Sequence, residues 1–150
     1  MQPSNSKVII GLQGITASAA GTATCSFDTL GYDAVSLCLI AGTSDGSSTA
    51  ENPTVLTLSE TDDTNLAATN FTNISGCVGD TDFTIPVMYT STTNDYTVLF
   101  NVDLRARKRF LKLSVSPTTT IAFTAISHLF RGDEAPITAA KAGADALVEV

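Results

Sequence analysis

Apolar and polar residues alternate with a period of two along much of this chain, in short runs separated by clusters of Gly, Asn, Asp, Pro, Ser and Thr. That pattern predicts β-strands joined by turns. Ser6–Leu12 is a first predicted strand. In Thr22–Thr29, Ala23, Cys25 and Phe27 alternate with polar neighbours, as in a strand with one buried side. Asp33–Gly42 follows the turn signal Gly31-Tyr32 and is apolar on both sides, with Val35, Leu37 and Leu39 against Cys38 and Ile40. It reads as a central strand covered on both faces. Thr54–Glu60 alternates Leu56 and Leu58 with Val55, Thr57 and Ser59. Asn70–Ser75 and Asp82–Tyr89 are shorter candidates, and Pro86 assigns the second to an edge. Asp95–Leu104, Lys108–Ser116 and Thr119–Phe130 are the clearest strands, and "PTTT" (117–120) between the last two fits a tight hairpin.

About eight or nine strands at this spacing predict an all-β fold, an antiparallel β-sandwich or jelly-roll-like barrel. The sequence divides into one domain over residues 1–150. Within it, 1–15 is an N-terminal arm or first strand, 16–131 the sandwich core and 132–150 a C-terminal tail. The Ala-rich run after Pro136 predicts one or two helical turns, which Gly143 keeps short. The terminal tails are therefore expected to be extended or short-helical.

Charge changes the picture at one place. The chain carries 15 acidic and 8 basic residues, a net charge of −7. Five of the basic residues (Arg105, Arg107, Lys108, Arg109 and Lys112) fall within eight positions, and they run straight into a predicted strand. A nucleic-acid site would need a broad positive surface, whereas this chain as a whole repels a polyanion. Arg105, Arg107, Lys108 and Arg109 are instead candidates for a partner or subunit interface, a positive turn facing an acidic protein surface. No apolar run is long enough for a membrane span. Lys7 precedes only a short apolar run, so no signal peptide is expected and Met1 is expected to lead directly into mature protein. The alternative of a plain solvated turn stands beside the interface reading.

Candidate chemistry is sparse. His128 is the only histidine and lies inside an apolar strand run without a nucleophile-elbow motif, which favours a structural role over a Ser-His-Asp triad. Glu60–Asp63 and Gly79–Asp82 group carboxylates as an oxygen-ligand metal site would, but without the twelve-residue calcium-loop spacing, so they read as turns. Cys25, Cys38 and Cys77 are odd in number and form no CxxC pair; Cys25 and Cys38, in apolar strand-like runs, read as small buried hydrophobes, and a reducing cytoplasm is the expected place of synthesis. "RGD" at Arg131–Asp133 and the sequons at Asn70 and Asn73 read as incidental. No catalytic residue, metal or cofactor is expected.

The order of features resembles a family. "GYDAVSLCLIAGTSDG" precedes "VLTLSETDDT", and "RKRFLKLSVSPTTT" leads to "SHLFRGDEAP" and an Ala-rich tail. Over roughly Gly31 to Ala140 this is similar to small structural proteins encoded beside tailed-bacteriophage head genes. Thr64-Asn65 stands after the acidic pair where the resemblance leads one to expect glycine. The resemblance implies a non-enzymatic virion component made in the host cytoplasm. In its sharpest form it implies a decoration or cement protein on the capsid surface, homotrimeric, with the major capsid protein and its own copies as partners and neither nucleic acid nor membrane. "VIIGLQGI" and "ALVEV" would then be free to join neighbours' sheets. Two other readings are a different virion part (head-tail connector, tail or minor head protein) and a carbohydrate-binding sandwich for host attachment. The absence of Trp weakens the last.

Overall fold

Nine strands follow one another in the computed structural model, which describes residues 6–18, 21–42, 53–87, 96–130 and 146–149. They are β1 (Ser6–Ala17), β2 (Ala23–Asp28), β3 (Ala34–Ala41), β4 (Val55–Thr61), β5 (Thr72–Val78), β6 (Tyr96–Asp103), β7 (Phe110–Ser116), β8 (Ile121–Phe130) and β9 (Ala146–Glu149). A 3-10 turn at Ala68–Asn70 is the only helical element among the described residues.

The strands form two sheets, ordered β1-β8-β3-β6-β9 and β2-β7-β4-β5. The eight antiparallel strands thus run 1-8-3-6 in one layer and 2-7-4-5 in the other. This is the order of a jelly roll, in which paired strands wind together from one sheet to the other. β9 adds a ninth strand parallel to β6, with Leu99 level with Leu147. The fold is an all-β sandwich.

The core lies between the layers and follows the period-two pattern. On β8, Ile121, Phe123, Ala125, Ser127 and Leu129 are buried and alternate with half-buried residues. Val35, Leu37, Leu39 and Ala41 of β3 and Val98, Phe100 and Val102 of β6 face the same interior. Leu56, Leu58, Leu111, Leu113 and Val115 come from the opposing sheet. Phe83 stands edge-on to Phe100 with ring centroids 5.8 Å apart. β3 is central as expected, but its outer side is only partly covered, with Ile40 37% exposed.

Four expectations change. "PTTT" is no hairpin: β7 pairs with β2 and β4, while β8 pairs with β1 and β3. Val115 and Ile121 both point into the core from opposite layers, so the link must cross the gap between sheets, typically about 10 Å. The segment predicted as a strand at Asp82–Tyr89 makes, over its described residues 82–87, only the bridge between Gly79 and Phe83. The Asp82 carboxylate draws the chain into a turn by accepting the N–H groups of Gly76 and Val78, and Ile85 plugs the core beneath it. β5 runs on to Val78, past the predicted end at Ser75, because Gly76 at φ 89° absorbs a bulge against β4. The last described residues, Ala146–Glu149, are strand rather than helix, since the edge of β6 offers backbone partners. The rest of that predicted helix, and the RGD, lie outside the described residues. Both terminal runs therefore add to the chain's own sheet, β1 along β8 and β9 along β6.

β1 and β2 close one side of the sandwich at very short range. A Cβ on Gly11 would stand 2.6 Å from the Cys25 Sγ and 3.1 Å from its Cβ. Gly11→Ala is therefore expected to lower stability by about 1–3 kcal/mol, as overpacking does. A reduced urea midpoint at unchanged slope checks this.

Candidate functional site

The basic block forms the corner between β6 and β7, where the chain leaves one sheet for the other. A strand pair supplies hydrogen-bond partners only along its ladder, so the corner's backbone groups need others. Acidic side chains supply them. The N–H of Lys108 donates to Glu60 Oε2 at 3.1 Å, and that of Arg109 to Asp62 Oδ1 at 2.9 Å. This is why β7 begins at Phe110 and not at Lys108: two amides are drawn out of the ladder by the end of β4. Leu104 N–H donates to Asp33 O and Arg107 N–H to Leu104 O, which fixes the turn on the β6 side.

The four candidate interface residues all have partners within the chain. The Arg105 guanidinium lies along the Asp103 carboxylate, with Nε 2.9 and 3.1 Å from its two oxygens. Arg109 makes a two-pronged pair with Asp28 of β2, through Nε at 3.0 Å and an Nη at 2.6 Å. It also lies over the Phe110 ring, 4.8 Å from its centroid. Arg107 is more enclosed and sits 4.0 Å from Glu60. Lys108 reaches Thr72 Oγ1 at 3.3 Å. Together they tie β6, β7, β2, β4 and β5 at one end of the sandwich. Alternation does not set their directions, because none lies in a strand.

The acidic turns share in this structure. Asp63 accepts from Asn65 N–H at 2.8 Å and from the Asn70 side-chain amide at 2.8 Å. The turn closes on the Asp63 side chain and needs no glycine at Thr64-Asn65. The same contact occupies the first sequon asparagine. Among the described residues, no group of three or more His, Cys, Asp or Glu side chains is placed to hold a metal ion. His128 stacks, tilted, on Phe130 with centroids 4.1 Å apart on the outer side of β8. Cys25 and Cys77 are buried, and burial pushes their thiols up to about 11 and about 12. Cys38 is half-buried and raised for the same reason. No cysteine is in a disulfide.

Two residues that matter at this end escape a sequence reading. Asp28 lies 81 positions from Arg109, too far for spacing to suggest the pair. Leu30, in the β2–β3 turn, is 66% exposed and is tied down through its N–H to Asp28 Oδ1 at 2.9 Å. An exposed leucine thus sits beside a fixed ion pair. A search against known protein families gives no match, and no curated protein compared with the chain matches it.

Glu60 holds both a corner amide and Arg107. Glu60→Ala is expected to cost about 1–3 kcal/mol, because it strands a part-buried N–H and leaves an enclosed guanidinium without its carboxylate. Chemical denaturation checks it.

The corner also predicts a pH dependence. The Arg105 side chain holds Asp103 at about 2, below the ordinary 3.8, and hydrogen bonding from Arg109 lowers Asp28. A carboxylate depressed by folding stabilises fully above its unfolded value and loses that contribution as pH falls. For Asp103 the loss spans pH 3.8 down to about 2. Solvent screening keeps it small at these exposed pairs. Melting temperature should fall across that window, and less steeply in Asp103→Asn.

Proposed function

We propose that the protein is a structural component of a tailed-bacteriophage virion, a decoration protein that binds the capsid exterior and stiffens it by bridging capsid subunits. The observation that carries this reading is the braced corner. Its charged residues are committed to bracing the turn against the ends of β2, β4, β5 and β6, and beside them the exposed Leu30 stands next to the Asp28–Arg109 ion pair. Such a rigid end, an apolar anchor with a polar rim, suits docking on another protein surface, because little ordering cost remains at the moment of contact. Jelly rolls also occur as lectin domains and cupins, so the fold alone does not choose among these roles. The resemblance of the Gly31–Ala140 stretch to phage head-associated proteins is what directs the choice.

In this reading the major capsid protein meets the corner end. Arg105, Arg107, Lys108 and Arg109 act there as half of a mosaic in which Asp103, Glu60 and Asp28 are the other half. A mosaic of fixed pairs favours one orientation over others and adds little raw affinity.

Adding the purified protein to phage heads prepared without it tests this. Wild type is expected to coat the head surface in many copies and to raise the temperature at which heads rupture. Leu30→Glu should keep its melting temperature and lose about tenfold or more in head affinity, the loss typical of an anchor residue. Wild-type density confined to the tail vertex would replace decoration with a connector or tail role. Unchanged binding by Leu30→Glu would remove the corner end from the interface.

A further inference from the structure

The chain has 23 charged residues, 15 acidic and 8 basic, yet the adjacent strands β1, β8 and β3 contain one, Lys7. Lys7 pairs with Leu129, whose side chain faces the core, so it does not belong to the outer side of the sheet. That outer side carries Val8 and Ile10 on β1, Ile126 and His128 on β8, and Cys38 and Ile40 on β3. Val8 is 61% exposed, Ile10 60% and Ile40 37%. The register lines up Ile10, Ile126 and Cys38 as one apolar row across three strands, continued on β6 by Leu99, which is already buried within the chain. One face of a sheet in an antiparallel sandwich normally meets water with polar residues. Here the side away from the core is uncharged and mostly apolar, with Ser36, Thr124 and His128 among its polar members, a composition close to that of the centre of a protein–protein contact.

We propose that this face binds a second copy of the same chain, sheet against sheet, as a two-fold dimer. Charge argues for that occupant. Two copies at −7 repel each other, and the least costly approach brings together surfaces that bear no carboxylate. β1, β8 and β3 have none. The apolar row is its own complement, as a two-fold contact requires. The geometry also favours stacking over edge pairing. β1 lies at the edge of its sheet, but its ladder with β8 is broken between Ile10 and Leu12 and again between Leu12 and Ile15, and Gly14 has φ 58°. Such irregularities blunt an edge against a new strand while leaving its outer side chains in place.

The contact is modest. Three strands about 4.8 Å apart and about eight residues long give a flat footprint of roughly 400 Å², below a standard permanent interface. The dimer should therefore be reversible in solution. It does not depend on the virion role, although a surface that holds many copies side by side would strengthen it through effective concentration.

Sedimentation of the wild-type protein over a concentration series is expected to show a reversible monomer–dimer equilibrium. Ile10→Lys, which opposes like charges across the two-fold, and Ile40→Lys, on a different strand, should each shift it to monomer while keeping the wild-type melting temperature. Cys38 supplies an independent readout, because Cys25 and Cys77 are buried. A short bis-maleimide should link wild-type chains into dimers through Cys38, and Cys38→Ser or Ile10→Lys should abolish that product. A wild-type protein that stays monomeric throughout overturns the proposal and leaves the face to a different protein. A dimer or trimer that survives both lysine substitutions overturns it as well, since assembly then uses another surface.

Discussion

Winding a pair of strands from one sheet to the other leaves backbone amides without ladder partners wherever the chain turns the corner, and this constraint organises the molecule. At the β6–β7 corner the answer is electrostatic. Carboxylates at the end of β4 take the amides of Lys108 and Arg109, and the guanidiniums of the same turn take carboxylates from β2, β4 and β6. The gathering of cations in an acidic protein thus has a local cause. Each exposed ion pair is weak alone. Joined to backbone amides and to the ends of β2 and β4, the pairs hold the corner against the sheet that the chain enters.

That arrangement separates two kinds of surface. One end of the sandwich is highly charged but internally balanced, with an exposed leucine as its apolar element. The outer side of β1, β8 and β3 is uncharged and mostly apolar. The first suits orientation-dependent docking, where fixed charges reject poor fits. The second suits contact between like-charged copies, where the removal of apolar area from water drives association. A subunit that must both seat on a shell and sit beside its own copies would need both.

Strand identity was largely legible, because burial on one side writes a period of two into the residues; β2, β3, β6 and β8 fall within one or two residues of their predicted ends. Pairing was not. A short link such as 117–120 looks the same whether it closes a hairpin or crosses between layers, and only the partners of β7 and β8 decide which. The terminal run "ALVEV" was legible as a strand able to join a sheet, but not that its residues 146–149 would take the edge of β6 in the same chain. At the corner the cations were visible as a block, but their partners at Asp28 and Glu60 come from distant parts of the chain. The missing glycine after Glu60–Asp63 was the converse case: the Asp63 side chain does locally what a glycine backbone would have done.

The pairing of β1 with β8 sets Ser6 opposite Phe130. A ladder joining the start of the described chain to residues 121–130 forms only after everything between them has been made, so its loop-closure cost is high and its contact order large. During synthesis β1 must wait, its valine and isoleucines uncovered, until residues 121–130 leave the ribosome. Such a protein gains its native shape in one late step, and the interval before that step is when it is most exposed to aggregation or to capture by chaperones.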